Sequence, residues 1–369
     1  MNIVWFTWKD SENPLAGGAE VVNEELGARL AQAGHAVTFL TSGFPGATAS
    51  TSRRGFTVIR TGGRFTNYLT ARTYFLKHVS SLSPDLVIDE CNTMPYFVGT
   101  YTGARTVLFF HMLCRQIWFY ELPQPLSTLG YLLEPLYLRL LKPKSTVITI
   151  SESTRRDLIA NGYSPKNIHV ISEGITLAPL RSLSDGHKFE QPTLLIHGSI
   201  RAMKRTLDGV KAFEMAKAKV PGLRLIISGD GSGSYGQKVL SYVKASPHAQ
   251  SIRYVGRVSE DTKIKLMRQS HVIMVTSVKE GWGLIVTEAA SQGTPAVVYN
   301  SDGLRDSVQA GVTGIITPAN TPAALAQCVR ELLADTSEYE RLRLAGWQWA
   351  QTLTFDRSYA DFTRAIGLD

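Results

Sequence analysis

The sequence predicts an α/β protein of two doubly wound domains in tandem, and three observations carry that prediction. The chain has 369 residues, about two domains at roughly 100–200 residues each. Short apolar runs alternate with helix-length segments along nearly all of it, the pattern of parallel sheets covered on both faces. The alternation breaks once, at residues 176–191 (TLAPLRSLSDGHKFEQ), and then starts again.

In the first series the buried strands fall at residues 3–8, 36–41, 85–89, 106–110 and 146–150. Residues 18–34 read as a helix: Val22, Leu26, Leu30 and Ala33 recur at helical spacing, and Gly34 stands where a helix C-terminus needs positive φ. The break has no sustained period and is rich in turn formers, so it reads as a linker. In the second series the strands fall at 193–197, 223–228, 252–255, 271–276 and 296–299, with helices such as 206–218 and 284–292 between them. The expected division is a first domain over residues 1–178, a linker at 179–191 and a second domain over 192–354. Ligands of such sheets bind beyond the carboxyl ends of the strands. Two sheets facing across a cleft would offer a substrate site between them.

Composition narrows the class. Hydrophobic content of 44% with 19% charged residues is ordinary for a globular protein and excludes a disordered, collagenous or coiled-coil chain. The formal charge of +8 favours anionic partners but is too mild to name nucleic acid, and none is expected. Cys91, Cys114 and Cys328 form no CxxC pair, which argues against a disulfide framework or structural zinc and fits a reducing compartment. The start MNIVWFTWKD lacks the features of a signal peptide, and no stretch reads as a transmembrane helix. The expectation is a cytoplasmic protein, at most peripheral on the inner face of the membrane.

Two stretches bear on partners. Residues 26–84 contain no Asp or Glu but hold Arg29, Arg53, Arg54, Arg60, Arg64, Arg72 and Lys77, a candidate anion-binding face. Residues 115–144 are apolar and aromatic, begin at Arg115 and end in Arg139, Lys142 and Lys144. A helix of that make-up suits an anionic membrane interface, although apolar stripes more often belong to a core.

The chemistry is concentrated in Lys279-Glu280-Gly281-Trp282-Gly283-Leu284-Ile285-Val286-Thr287-Glu288, which follows the strand at 271–276. The glycines break regularity, so Glu280 falls in a loop, and Glu288 falls about a turn into the next helix. Between the two carboxylates lie the N–H groups of a glycine loop and a helix N-terminus, which bind phosphate. Carboxylates flanking such a site would repel phosphate itself but can accept hydrogen bonds from sugar and ribose hydroxyls.

This stretch resembles the Glu-x7-Glu motif of the retaining, nucleotide-sugar-dependent family 4 glycosyltransferases, and EGWGLIVTEAASQGTPAVV follows their pattern almost position by position. The resemblance implies a GT-B fold, in which two Rossmann-like domains clamp a nucleoside-diphosphate sugar. It implies that Glu280 contacts the donor sugar, that Glu288 contacts the ribose, and that the backbone around Gly281, Trp282, Gly283 and Leu284 meets the diphosphate or sugar. Gly17 and Gly18 resemble the loop that faces the diphosphate and acceptor. Lys204 matches the lysine that neutralises charge on the leaving diphosphate. The family's usual Arg position holds Ser199 instead, with Arg201 and Arg205 nearby as replacements. Gly229, in Gly229-Asp230-Gly231, resembles a strand-ending turn, and Arg257-Val258 the loop around the base. His111 matches a histidine near the sugar and acceptor. Residues 355–369 resemble a last helix that crosses back to the first domain.

Asp-x-Asp is absent and no His/Cys set has ligand spacing, so neither metal nor other cofactor is expected. The function this implies is transfer of a hexose from a UDP or GDP sugar, with retention, to a hydroxyl acceptor bearing lipid or phosphate, in cell-envelope or glycan biosynthesis. A nucleotide-sugar epimerase or a non-catalytic sugar-nucleotide-binding protein on the same fold are the alternatives, the latter favoured only by Ser199.

Overall fold

The computed structural model describes residues 1–141 and 146–368. The chain divides into two compact bodies: Met1–Trp118, Thr128–Gly174 and Phe355–Asp369 form the first, Phe119–Ser127 and Ile175–Thr354 the second.

The first body carries strands β1 (Asn2–Phe6), β2 (Ala36–Thr41), β3 (Ser50–Arg53), β4 (Phe56–Arg60), β5 (Leu86–Cys91), β6 (Arg105–Phe110), β7 (Val147–Thr149) and β8 (Ile168–Val170). Its helices are α1 (Gly18–Gln32), α2 (Asn67–Leu82), the short α3 (Trp118–Glu121) at the division, α4 (Leu126–Leu140) and α5 (Glu152–Ala160). Among the described residues the strand order is β3-β4-β2-β1-β5-β6-β7-β8, parallel except for the β3–β4 hairpin. The order reverses between β1 and β5, so their carboxyl ends open a crevice. The core is aromatic: Trp5 stacks on Phe39 at 5.2 Å and on Phe362 at 5.7 Å. Phe362 belongs to the terminal helix (Phe355–Ile366), which packs on this body and has the sharpest separation of apolar from polar side.

The second body carries β9 (Thr193–His197), β10 (Arg224–Ser228), β11 (Ile252–Gly256), β12 (Val272–Val275), β13 (Ala296–Val298) and β14 (Gly314–Ile316), all parallel. Between and after them run α6 (Thr206–Lys217), α7 (Ser234–Ala245), α8 (Glu260–Gln269), α9 (Leu284–Ser291), α10 (Pro322–Ala334) and α11 (Thr336–Ala350); the terminal helix is α12. The order β11-β10-β9-β12-β13-β14 reverses between β9 and β12. Both bodies are therefore Rossmann-like.

Two expectations need correction. Residues 179–191 are not a free linker but part of the second body. Leu180 is buried, its N–H donates to the Ser291 carbonyl at 2.9 Å, and Phe189 N–H donates to the Gln269 carbonyl at 2.9 Å. Nor are most of the cations between Arg29 and Lys77 unbalanced. Asp10, Glu12, Glu24 and Glu25, just upstream of the acid-free span, fold back onto it. Arg60 is buried with Asp10 at 2.8 Å, Arg53 meets Glu12 at 2.9 Å as well as Glu24, and Arg54 meets Glu25 at 2.6 Å. Burial would raise the Asp10 carboxyl, but Arg60 and Arg53 hold it below its ordinary value. Arg29 pairs with Glu25 and with Asp356 of α12. Arg64 lies over Trp8 and Phe65, and Arg72 over Tyr101. The expected charges at Lys142 and Lys144 lie outside the described residues.

Candidate active site

The second body's crevice is built from the loops after β9 and β12, which are laced together. Thr276 Oγ1 donates to the carbonyls of Lys204 (2.8 Å) and Arg205 (3.1 Å), and Val278 N–H donates to the Met203 carbonyl at 2.8 Å. That lacing brings Lys204 Nζ to 2.5 Å from Glu280 Oε1, the same oxygen that accepts from Ser277 Oγ at 2.5 Å. Glu280 is held from behind as well: its N–H donates to the Asp302 carbonyl at 2.9 Å, and a Cβ on Gly303 would stand 2.3 Å from the Glu280 carbonyl oxygen. Only glycine, here at φ +80°, allows that approach. Lys204 and Glu280 thus meet across the switch point, both partly open to solvent.

Gly283, at φ +102°, ends the loop and starts α9, whose N-terminus carries no side-chain cap. Its first N–H groups are donors for an anion. Along the same edge Gly198, Gly229 and Gly256 end β9, β10 and β11, all at positive φ. A Cβ on Gly229 would lie 1.9 Å from the Gly198 carbonyl oxygen, so backbone packs on backbone there and the edge stays free of side chains.

Glu288 lies a turn into α9, nearly buried, 3.1 Å from Lys263 Nζ of α8. Burial pushes the Glu288 carboxyl up and Lys263 pulls it back down. Lys263 also meets Glu260 at 2.9 Å. The linear motif does not reveal Lys263 or Ser277 as members of the site.

The other expected residues are placed unevenly. Ser199 is exposed on the loop after β9, and half-exposed Arg201 reaches Glu121 at 3.5 Å. The Arg205 guanidinium meets Asp208 at 2.6 Å and the Asn320 carbonyl at 3.3 Å, over the Tyr299 ring. Gly281 is half-buried, and the half-buried Trp282 ring lies 6.2 Å from Trp349. Leu284 opens α9, Arg257 is exposed near Asp230, and Val258 packs on the core.

In the first body Gly17 caps α1 and Gly18 begins it, both exposed beside the β1/β5 crevice. Gly17 N–H donates to Glu20 at 2.6 Å, and Lys9 lies 3.4 Å from Glu20. His111 follows β6 at the carboxyl edge of the first sheet. Its ring is turned inward, 5% exposed, with Nε2 3.1 Å from Asn23 Oδ1. Asn23 Nδ2 already donates to Glu90 at 2.6 Å, so the histidine carries its proton on Nε2. Burial drives its pKa down to about 3, which leaves the ring neutral. Burial, with the nearby Glu20 charge, lifts Glu90 to about 8. Among the described residues no cluster of His, Cys, Asp and Glu could hold a metal.

The family model described as Glycosyltransferase Family 4 matches residues 16–178, and that described as Glycosyl transferases group 1 matches residues 184–349. The chain belongs to the GT-B-fold glycosyltransferases. Glycogen synthase of Mycobacterium tuberculosis is 28% identical over 211 residues, 57% of this chain and 50% of that protein. D-inositol 3-phosphate glycosyltransferase of Jonesia denitrificans is 26% identical over 215 residues, 53% of this chain and 50% of that protein. The chain spans about half the length of these curated relatives. Over nearly whole chains the GT-B fold superimposes on two solved structures. Sucrose-phosphate synthase from Thermosynechococcus elongatus has a TM-score of 0.81 at 17% identity, covering 99% of this chain and 98% of that one. HepE of Anabaena in complex with UDP-glucose has a TM-score of 0.73 at 15% identity, covering 99% of each chain.

Proposed function

We propose that the protein is a retaining hexosyltransferase that moves a hexose from a nucleoside-diphosphate sugar to a hydroxyl of an acceptor bearing phosphate or lipid. The observation that carries this reading is the Lys204–Glu280 pair joining two loops across the switch point of the second sheet. The diphosphate lies against the N-terminus of α9 with Lys204 beside its leaving oxygen, Glu280 accepts from a sugar hydroxyl, and Glu288 accepts from the ribose. The bond from the anomeric carbon to the diphosphate oxygen breaks, and the acceptor oxygen bonds to that carbon on the same face. The acceptor's proton passes to the departing diphosphate, so no protein base is required. Catalysis then rests on positioning and on charge matched to the leaving group. The named activities of the relatives, on an inositol phosphate and toward a sucrose phosphate, support a phosphate-bearing acceptor, and HepE bound to UDP-glucose supports the donor class.

Thermal melting with nucleoside diphosphates and their sugars tests this. At about 100 times its Kd a ligand adds roughly 2.7 kcal/mol, several degrees of melting temperature. The expected result is a shift with one base and its sugars. No shift with any of them would overturn the donor assignment.

A further inference from the structure

We infer that α4 is a docking helix that lays a leucine face on an anionic lipid surface. The polarity of this helix is inverted relative to an ordinary surface helix, which turns its leucines to the core. Its inward positions are Ser127, Gly130, Tyr131, Glu134, Tyr137 and Leu138, a helical repeat of mostly polar or aromatic residues, all buried or half-buried. Polar bonds fix that register. The buried Glu134 carboxylate accepts from the backbone N–H groups of Cys114 (2.7 Å) and Arg115 (2.6 Å) and from the Trp118 indole at 3.1 Å. The Tyr137 hydroxyl donates to the Thr93 carbonyl at 2.6 Å. Gly130 lies on the Trp118 ring, where a Cβ would come within 2.5 Å. With those bonds made, Leu126, Leu129, Leu132, Leu133, Leu136 and Leu140 have nowhere to go but outward, and they are 45–82% exposed.

Charge selects the occupant. The helix has one acidic residue, and it is the buried Glu134. The other charged residue of the helix, Arg139, is exposed on the outward face, and Lys142 and Lys144 follow in the sequence. An apolar stripe whose exposed charge, among the described residues of the helix, is the cation Arg139 fits the boundary between acyl chains and anionic headgroups. Fifteen residues span about 22 Å, too short to cross a bilayer, so the helix lies along the surface. This inference deepens the acceptor side of the proposed function. Its test uses no sugar transfer, so either can fail alone.

Flotation of the full chain with vesicles of equal parts phosphatidylglycerol and phosphatidylcholine, at low salt, is the experiment. The protein should float with them and largely remain behind with phosphatidylcholine alone. Leu129→Ser, Leu132→Ser and Leu136→Ser together should cut the bound fraction at least about tenfold with melting unchanged, since all three point outward. Arg139→Gln should cut it about fivefold. If the triple variant folds poorly, the single change Leu132→Glu should still weaken flotation. Wild-type protein that stays in solution, or variants that float as well as wild type, would overturn the inference. So would a leucine-dependent dimer, seen by light scattering, in a protein that does not float, because the face would then belong to a second copy.

Discussion

In the second body the crevice at the switch point holds opposite charges in contact with solvent, Lys204 against Glu280, with Lys263 against Glu288 beside it. In the first body the corresponding crevice, between β1 and β5, lies over a buried cluster in which Glu90 and His111 each bond to Asn23, with the Lys9–Glu20 pair alongside. The two sheets share an architecture, so the difference comes from which residues stand at the strand ends. Glycines at the ends of β9, β10 and β11 keep that edge open and leave its charged side chains accessible. At the end of β5 and after β6 the chain carries Glu90 and His111, roofed by α1, and burial neutralises them. The open crevice is suited to bind and to stabilise charge, whereas the closed one is suited to hold its loops still.

The largest effect expected from this contrast is at the open crevice. Lys204→Ala and Glu280→Ala should each lower turnover about 10²-fold or more, the scale for removing one preorganised electrostatic group. Lys204→Ala should change the melting temperature little, since that side chain is partly exposed, whereas Glu280→Ala, at a carboxylate only 12% exposed and bonded to Ser277, should lower it modestly. Steady-state kinetics with the donor identified by melting measures this, and near-normal turnover in both variants would erase the distinction between the crevices.

At the closed crevice the expected effect is on stability and follows pH. Glu90 titrates at about 8 in the folded chain against an ordinary 4.5. Below the unfolded value both states are protonated and the folded state keeps its full stability. Between the two values the unfolded chain loses its proton and the folded chain keeps it, so stability falls by about 1.4 kcal/mol per pH unit, and the fall ends above the folded pKa. Over the whole window that is a loss on the order of several kcal/mol. Glu90→Gln should flatten this component in denaturant titrations from pH 5 to about 8. An unchanged slope would mean that Glu90 is charged in the folded protein.

How far the sequence disclosed these features depends on whether a feature is local. The inner strands were legible because they are short apolar runs buried on both faces. The β3–β4 hairpin, β8 and β14 were not, since β3 is polar and half-exposed and the last two are three residues long at sheet edges. Glu280, Glu288 and Lys204 sit in contiguous motifs and could be named. Lys263 stands 25 positions from Glu288, and Asn23 stands 67 from Glu90, so only folding brings them together. His111 shows the converse: its motif position is local, but the direction of its ring is a property of packing.

A smaller effect is expected at Lys263. With Lys263→Met, Glu288 loses the charge that opposes its burial and is more readily protonated, so it becomes a poorer acceptor for a ribose diol. The preference for a nucleoside diphosphate over its 2′-deoxy form should shrink about tenfold, measured calorimetrically. Equal weakening toward both ligands would instead make Lys263 a general attractor for phosphate.

The smallest effect separates the two arginines near Ser199. Arg205 spends its charge on Asp208 and the Asn320 carbonyl and lies over Tyr299, whereas Arg201 is half-exposed, 3.5 Å from Glu121 and 3.5 Å from the Met203 sulfur. An exposed pair of that kind is worth about 1 kcal/mol or less, so Arg201 can exchange it for a diphosphate at little cost. Arg201→Gln should therefore weaken diphosphate binding about threefold to fivefold, and Arg205→Gln should leave it unchanged while lowering the melting temperature slightly. The reverse order would mean that α6 rearranges when the donor binds. The open crevice would then be shaped by its ligand rather than preformed, and its contrast with the rigid cluster in the first body would widen.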